Sequence, residues 1–210
     1  MVRTIADHVS AEVLQADLES LRKEAVELGA TDAKIISTGE IIVDERVRAK
    51  CINPKCMWYG TNANCPPHSP DLDFVRKTVG RFQFGIFIMT KYPREDFNGK
   101  YDDAPANKDR LDSHRIVAKI EAGAFHRGYH MALGFADGPC KSRYCLDREC
   151  SVLTGAGCRM GLRARGAMES WGMDAYLMAT RAGWEVYPIG VNTRTDDVPY
   201  RVTLGLVLIY

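Results

Sequence analysis

Val202-Thr203-Leu204-Gly205-Leu206-Val207-Leu208-Ile209 is the stretch on which the fold turns. Its length and its β-branched and leucine-rich make-up read as a terminal strand. Phe82–Met89, apolar and rich in aromatics, is of strand length too and reads as a second, buried strand. Two shorter strands are expected, at Ala33–Ile36 and Leu133–Ala136, the first leading to Gly39 with Ile41–Val43 continuing after the turn.

Helical spacing surrounds these strands. Val13, Leu14, Leu18, Leu21, Ala25 and Leu28 predict a helix over residues 11–29 with Gly29 as its C-cap. Ser69-Pro70-Asp71 reads as the start of a helix running to Val79, with serine as cap, proline at the first helical position and the acid complementing the dipole. A long helix is expected over Lys108–Ala132, with Leu111, Ile116, Val117, Ile120 and Phe125 on one side. Ala167–Ala182 reads as one helix with a break at Gly172, and Tyr92–Asn107, which holds Pro93 and Pro105, as an exposed loop. Strands and helices intermingle without strict alternation. The expected architecture is α+β: a single domain over residues 1–210, with a mixed β-sheet flanked by helices and two cysteine-rich metal-binding loops at 51–67 and 138–158.

Charge excludes one class of partner. With 28 basic and 27 acidic side chains the net charge is +1, so nucleic acid is not expected. The first residues lack a signal-peptide pattern, and no run approaches the roughly 18 apolar residues that cross a bilayer. The expectation is a cytoplasmic protein with no membrane partner, in a compartment where thiols stay reduced and clustered cysteines point to metal.

The seven cysteines fall into two sets: Cys51-x4-Cys56-x8-Cys65-Pro66-Pro67, and Cys140-x4-Cys145-x4-Cys150-x7-Cys158. Confinement to two polar loops argues against scattered core thiols. Structural zinc favours C-x2-C pairs, and the chain has none. Gaps of four, eight and seven suit a larger group that takes thiolates from several directions. Two [4Fe–4S] clusters are therefore expected on Cys51, Cys56, Cys65, Cys140, Cys145, Cys150 and Cys158, with zinc as the alternative. Four cysteines saturate one cubane. Three leave one iron for water, a substrate atom or another side chain, so one cluster is a candidate for site differentiation.

Those same residues carry a resemblance. Cys51-x4-Cys56-Met57-Trp58-Tyr59-Gly60-x4-Cys65-Pro66-Pro67-His68-Ser69-Pro70 resembles the leading motif of domain of unknown function 2284, a family of small predicted metal-binding proteins in bacteria and archaea. Gly138-Pro139-Cys140 through Cys158 resembles its second motif, and Met168-Glu169-x2-Gly172-Met173-Asp174 the tract that follows. The resemblance covers about residues 30 to 210 and implies that all seven cysteines are metal-ligand candidates. One departure is Arg165-Gly166-Ala167, where the resemblance leads one to expect Arg-Pro-Ser.

Other residues stand near the motifs. Glu169 and Asp174 are candidate proton-transfer carboxylates, and His68 a candidate ligand or hydrogen-bond donor to the first set. His126 and His130 have the i, i+4 spacing of a helical metal pair but no third ligand in a motif. Lys141, Arg143, Arg148, Arg159, Arg163 and Arg165 crowd the second set, as a charge complement to an anionic cluster, a docking patch or a solvated loop. No serine nucleophile elbow, P-loop or dinucleotide fingerprint is present. Three functions remain open at this point. The first is an electron carrier or redox accessory with a partner protein. The second is an iron–sulfur oxidoreductase or lyase acting on a small molecule, and the third a zinc-stabilised interaction module.

Overall fold

A computed structural model of the chain describes residues 2–94, 107–190 and 192–210. The two long apolar runs form the middle of a five-stranded mixed sheet. β1 (Asp32–Ser37), β2 (Phe84–Pro93), β3 (Leu133–Ala136), β4 (Gly166–Ala167) and β5 (Tyr200–Leu208) lie in the order β1-β2-β5-β3-β4. All neighbours are antiparallel except β3 and β4. Nine residue pairs join β2 to β5, from Gly85 opposite Leu208 to Pro93 opposite Tyr200.

Both faces of this central pair are covered, which is why its sequence shows no polar alternation. On one face Ile86, Ile88, Val207 and Ile209 pack with α1 (Ala11–Glu27) and α4 (Asn107–His126) through Leu14, Leu18, Leu21, Ile116, Val117 and Ile120. On the other face Phe87, Met89, Leu204, Leu206 and Leu208 meet α3 (Leu72–Val79), α6 (Ala175–Arg181), Trp184, Met168 and Met173. Gly134 and Gly205 let α4 approach closely, since a Cβ on Gly205 would lie 2.7 Å from Val117 Cγ2. The α+β mixed sheet expected from the sequence is present.

Several local expectations are corrected. Asp71 rather than Ser69 caps α3, its carboxylate accepting from the Phe74 N–H at 2.8 Å. Ile41–Val43 does not continue a strand; only Val43 forms a bridge, to Met173. β2 extends through Tyr92 and Pro93, because β5 offers it partners there. The rest of the expected loop, residues 95–106, lies outside the described residues, as does the side chain of Leu111. α4 ends at His126, before Gly128 at φ +94°, and Phe125 faces solvent. Val13 is likewise exposed. Residues 167–182 are not one helix: β4 is followed by a 3₁₀ turn at Glu169–Trp171, left-handed Gly172 at φ +78°, and then α6.

The largest omission is α2 (Glu45–Ile52), in a segment with no apolar stripe. Its Asp44 cap accepts from the Arg46 N–H at 2.7 Å, and the Arg46 guanidinium beside it holds the Asp44 carboxyl down at about 2. Backbone bonds from Asp44 N–H to the Gly172 carbonyl and from Asp174 N–H to the Ile42 carbonyl, both 2.9 Å, dock this helix start on the turn before α6.

Candidate metal centre

Tertiary structure carries the first cysteine set on the end of α2 and the turns after it. Cys51 lies in the last turn of α2, and its carbonyl accepts from the Cys56 N–H at 3.1 Å. The Gly60 N–H donates to the Pro66 carbonyl at 2.7 Å, closing the loop, and the Cys65 carbonyl accepts from both His68 and Ser69. The second set leaves the end of β3. Gly138 takes φ +67°, Pro139 and Cys140 start the four-residue helix α5 (Lys141–Tyr144), and turns carry the chain through Cys145, Cys150 and Cys158 to β4.

All seven cysteines are free thiols. Cys65 is buried, Cys158 is exposed, and the others are half-buried. Burial pushes the Cys65 thiol up to about 11, against an opposing Asn62 hydrogen bond, and the nearby Cys140, Cys51 and Cys56 add to the rise. Burial likewise raises Cys140, against a hydrogen bond from Asn64. At Cys150 burial is outweighed by the backbone N–H groups of Ala63, Val152 and Leu153 and by Lys141, and the thiol titrates below its ordinary value.

The two loops touch. Asn64 Nδ2 donates to Cys140 Sγ at 3.4 Å, and the Cys140 thiol points at Asn62 Oδ1 at 3.9 Å. Asn62 is 1% exposed, and its Oδ1 also accepts from the Asn64 N–H at 3.0 Å. The segment Asn62–Asn64 thus lies between Cys65 of its own loop and Cys140 and Cys150 of the other. Sequence reading missed it, because asparagine in a turn is ordinary turn chemistry. The one available signal was its place immediately before Cys65.

Among the described residues, no three of the histidines, cysteines, aspartates and glutamates are arranged around a single ion. The donor set still fits a thiophilic group. Arg48 is half-buried beside Cys51, and that burial lowers its pKa, while the thiols of Cys51 and Cys65 oppose the fall. Arg48 Nη2 donates to the Pro70 carbonyl at 2.6 Å. Its Nε is buried with no hydrogen-bond partner among the described residues, and so is Ser69 Oγ. Unused donors beside thiols suit an anionic, sulfur-ligated group.

The other candidates are dispersed. Glu169 lies near enough to Cys51 to raise its thiol pKa, after the larger effects of burial and Cys56. Asp174 is the N-cap of α6, accepting from the Leu177 N–H at 2.9 Å. His68 is exposed in the turn after Cys65. His130 lies beyond the end of α4, so His126 and His130 do not share a helical face. Three of the cations tie down backbone: Lys141 Nζ donates to the Arg148 carbonyl, Arg159 to the Glu149 carbonyl, and Arg165 to the Gly161 and Ala164 carbonyls while pairing with Glu121 at 2.7 Å.

Behind the second loop sits His114 of α4, fully buried. Its Nδ1 accepts from the Arg165 N–H at 3.3 Å, which leaves the ring proton on Nε2. Burial first, then the charges of Arg143 and Arg165, lowers its pKa to about 4. Unfolded histidine keeps its ordinary value, so between these two pKa values the unfolded chain binds more protons. The stability of the fold is therefore full above the unfolded value and drops as pH falls toward 4, by an amount on the order of 3 kcal/mol. Urea unfolding at pH 7.5 and 4.5 is expected to show this difference, and His114→Gln to reduce it. An equal pH dependence in the two proteins would refute the assignment.

No helix among the described residues is long and apolar enough to cross a membrane. No curated protein and no solved structure matches the chain. One family model does, over residues 34–209, a span that contains both cysteine loops and every strand after the first two residues of β1. The chain belongs to the DUF2284 family, described as predicted metal-binding proteins.

Proposed function

We propose that the chain binds two [4Fe–4S] clusters and acts in electron transfer, as a carrier or redox accessory to a partner protein. Cys51, Cys56 and Cys65 would hold one cluster, and Cys140, Cys145, Cys150 and Cys158 the other. The observation that carries this reading is that seven free thiols, none in a C-x2-C pair, belong to two loops that touch through amide-to-sulfur contacts. Such clusters supply one-electron storage at potentials set by charge, hydrogen bonds to sulfur and solvent exposure.

The chain's own residues act on each of those levers. Arg48 and Lys141 place positive charge beside the first and second sets. Cys65 is the one buried thiol of the seven and Cys158 the one exposed, so the second set offers the shorter path to a partner. A second reading is favoured by Arg48 Nε, an unused buried donor beside the set that has only three cysteines. In that reading the first centre binds a small anionic molecule at the metal position that lacks a thiolate.

Iron and sulfide analysis of anaerobically prepared protein tests the main reading, with about eight of each expected per chain for two cubanes. Stoichiometric zinc without acid-labile sulfide would overturn it. A spectral response of one cluster alone to cyanide or small thiols would favour the second reading over the carrier.

A further inference from the structure

The two cysteine sets are far apart in sequence, yet the second is hydrogen-bonded by the first loop and not only by its own. Asn64 is 76 positions from Cys140, and its Nδ2 reaches Cys140 Sγ at 3.4 Å. A sulfur of the second set therefore receives an N–H donor from the tripeptide Asn62–Asn64 of the other loop. That tripeptide is itself rigid. Asn62 is buried, its Oδ1 accepts the Asn64 N–H at 3.0 Å, its Nδ2 donates to Thr61 Oγ1 at 3.3 Å, and the Thr61 hydroxyl donates to the Trp58 carbonyl at 2.8 Å. Asn64 Cβ also lies 4.0 Å from the position a Cβ would take on Gly166, so the segment rests on the edge strand β4. Asn64 is thus held from two sides with its amide on a sulfur.

An N–H donor on a ligand sulfur stabilises the more negative state of whatever that sulfur ligates. We propose that Asn64 is a positioning residue of the second metal centre, supplied by the first cysteine loop, and that its N–H···S bond to Cys140 raises the reduction potential of that centre. The role is redox tuning in one direction: loss of the donor disfavours reduction of the four-cysteine centre and leaves the three-cysteine centre unaltered. The contact also makes Cys140 the point where the two sets meet, since Asn62, Asn64 and the Cys65 thiol all act on it or beside it. The raised potential rests on the iron–sulfur reading above. The hydrogen bond itself does not.

The test uses anaerobically reconstituted full-length protein, as wild type, Asn64→Ala, Asn64→Ser and Asn64→Asp, with iron and sulfide counted in each. Potentials are followed by spectroscopically monitored redox titration, and Cys145→Ala identifies which signal belongs to the second centre. Asn64→Ala is expected to change the reduced-to-oxidised ratio of that centre about tenfold at fixed potential, about 59 mV lower for one electron. Asn64→Asp, which replaces the donor with a carboxylate, is expected to lower it further, and Asn64→Ser, which keeps a donor, to recover part of the loss. Unchanged potentials in Asn64→Ala and Asn64→Asp overturn the proposal, and so does an equal shift of both centres. If wild type carries no acid-labile sulfide, the iron–sulfur reading fails separately. The hydrogen bond is then read in Co(II)-loaded protein, where Asn64→Ala should move the sulfur-to-cobalt charge-transfer band to longer wavelength. An unmoved band overturns the hydrogen bond as well.

Discussion

Cys145→Ala is expected to cut iron and sulfide from about eight to about four per chain, with the remaining cluster spectroscopically unchanged. Cys145 is tied within its own loop: its N–H donates to the Lys141 carbonyl at 2.9 Å, and its carbonyl accepts from the Arg148 N–H at 3.1 Å. Loop closure is least costly between cysteines near in sequence, so ligands should group as 51–65 and 140–158. Cys140 is a different case, because it carries the contact with Asn62 and Asn64. Its replacement by alanine should remove the second cluster and also disturb the spectrum of the first. Loss of both clusters in a Cys145→Ala protein that keeps its circular dichroism would show shared ligation instead.

Phe135→Ala is expected to destabilise the fold by about 4 kcal/mol, within the usual range for a buried phenylalanine. Phe135 is 1% exposed, in the middle of β3, and packs edge-on against Trp171 with centroids 4.8 Å apart. Its strand pairs with β5 on one side and β4 on the other, so the side chain cannot leave without a cavity beneath the sheet. The check is the urea midpoint at unchanged slope. Phe125→Ala, on the exposed side of α4, should stay within about 0.5 kcal/mol of wild type. β3 leads straight into Gly138-Pro139-Cys140, so the destabilised protein should also lose metal from the second set at lower denaturant than wild type does. A change below about 1 kcal/mol would mean that the cavity collapses or that β3 contributes little.

Legibility followed the range of the forces involved. β3 was readable with its exact bounds, and β2 and β5 nearly so, because a run buried on both faces is apolar at almost every position. α1 was readable from its stripe, although Val13 in that stripe turned out exposed. The metal-ligand candidates were readable because cysteine is rare and its clustering needs no neighbours to be seen. α2 was not readable. Glu45-Arg-Val-Arg-Ala-Lys-Cys-Ile52 buries no side chain, and its hold on the fold comes from the Asp44 cap and from backbone bonds to Gly172 and Ile42–Asp174, far along the chain. Ser69 and Asp71 were both plausible caps two residues apart, and only the observed bond to the Phe74 N–H chooses between them.

By itself, then, the sequence determined the α+β class, the central strands and the division of seven cysteines into three and four. Each of these depends on residue types within a few positions of one another, where period and composition speak directly. Only the tertiary structure decided that β5 lies between β2 and β3, that the residues before Gly172 form an edge strand and a 3₁₀ turn instead of a helix, and that Asn64 reaches Cys140. These depend on which distant residues share a neighbourhood. That is settled by how the two apolar faces of the sheet are covered, and an asparagine before a cysteine carries no mark of the sulfur it will meet 76 residues later.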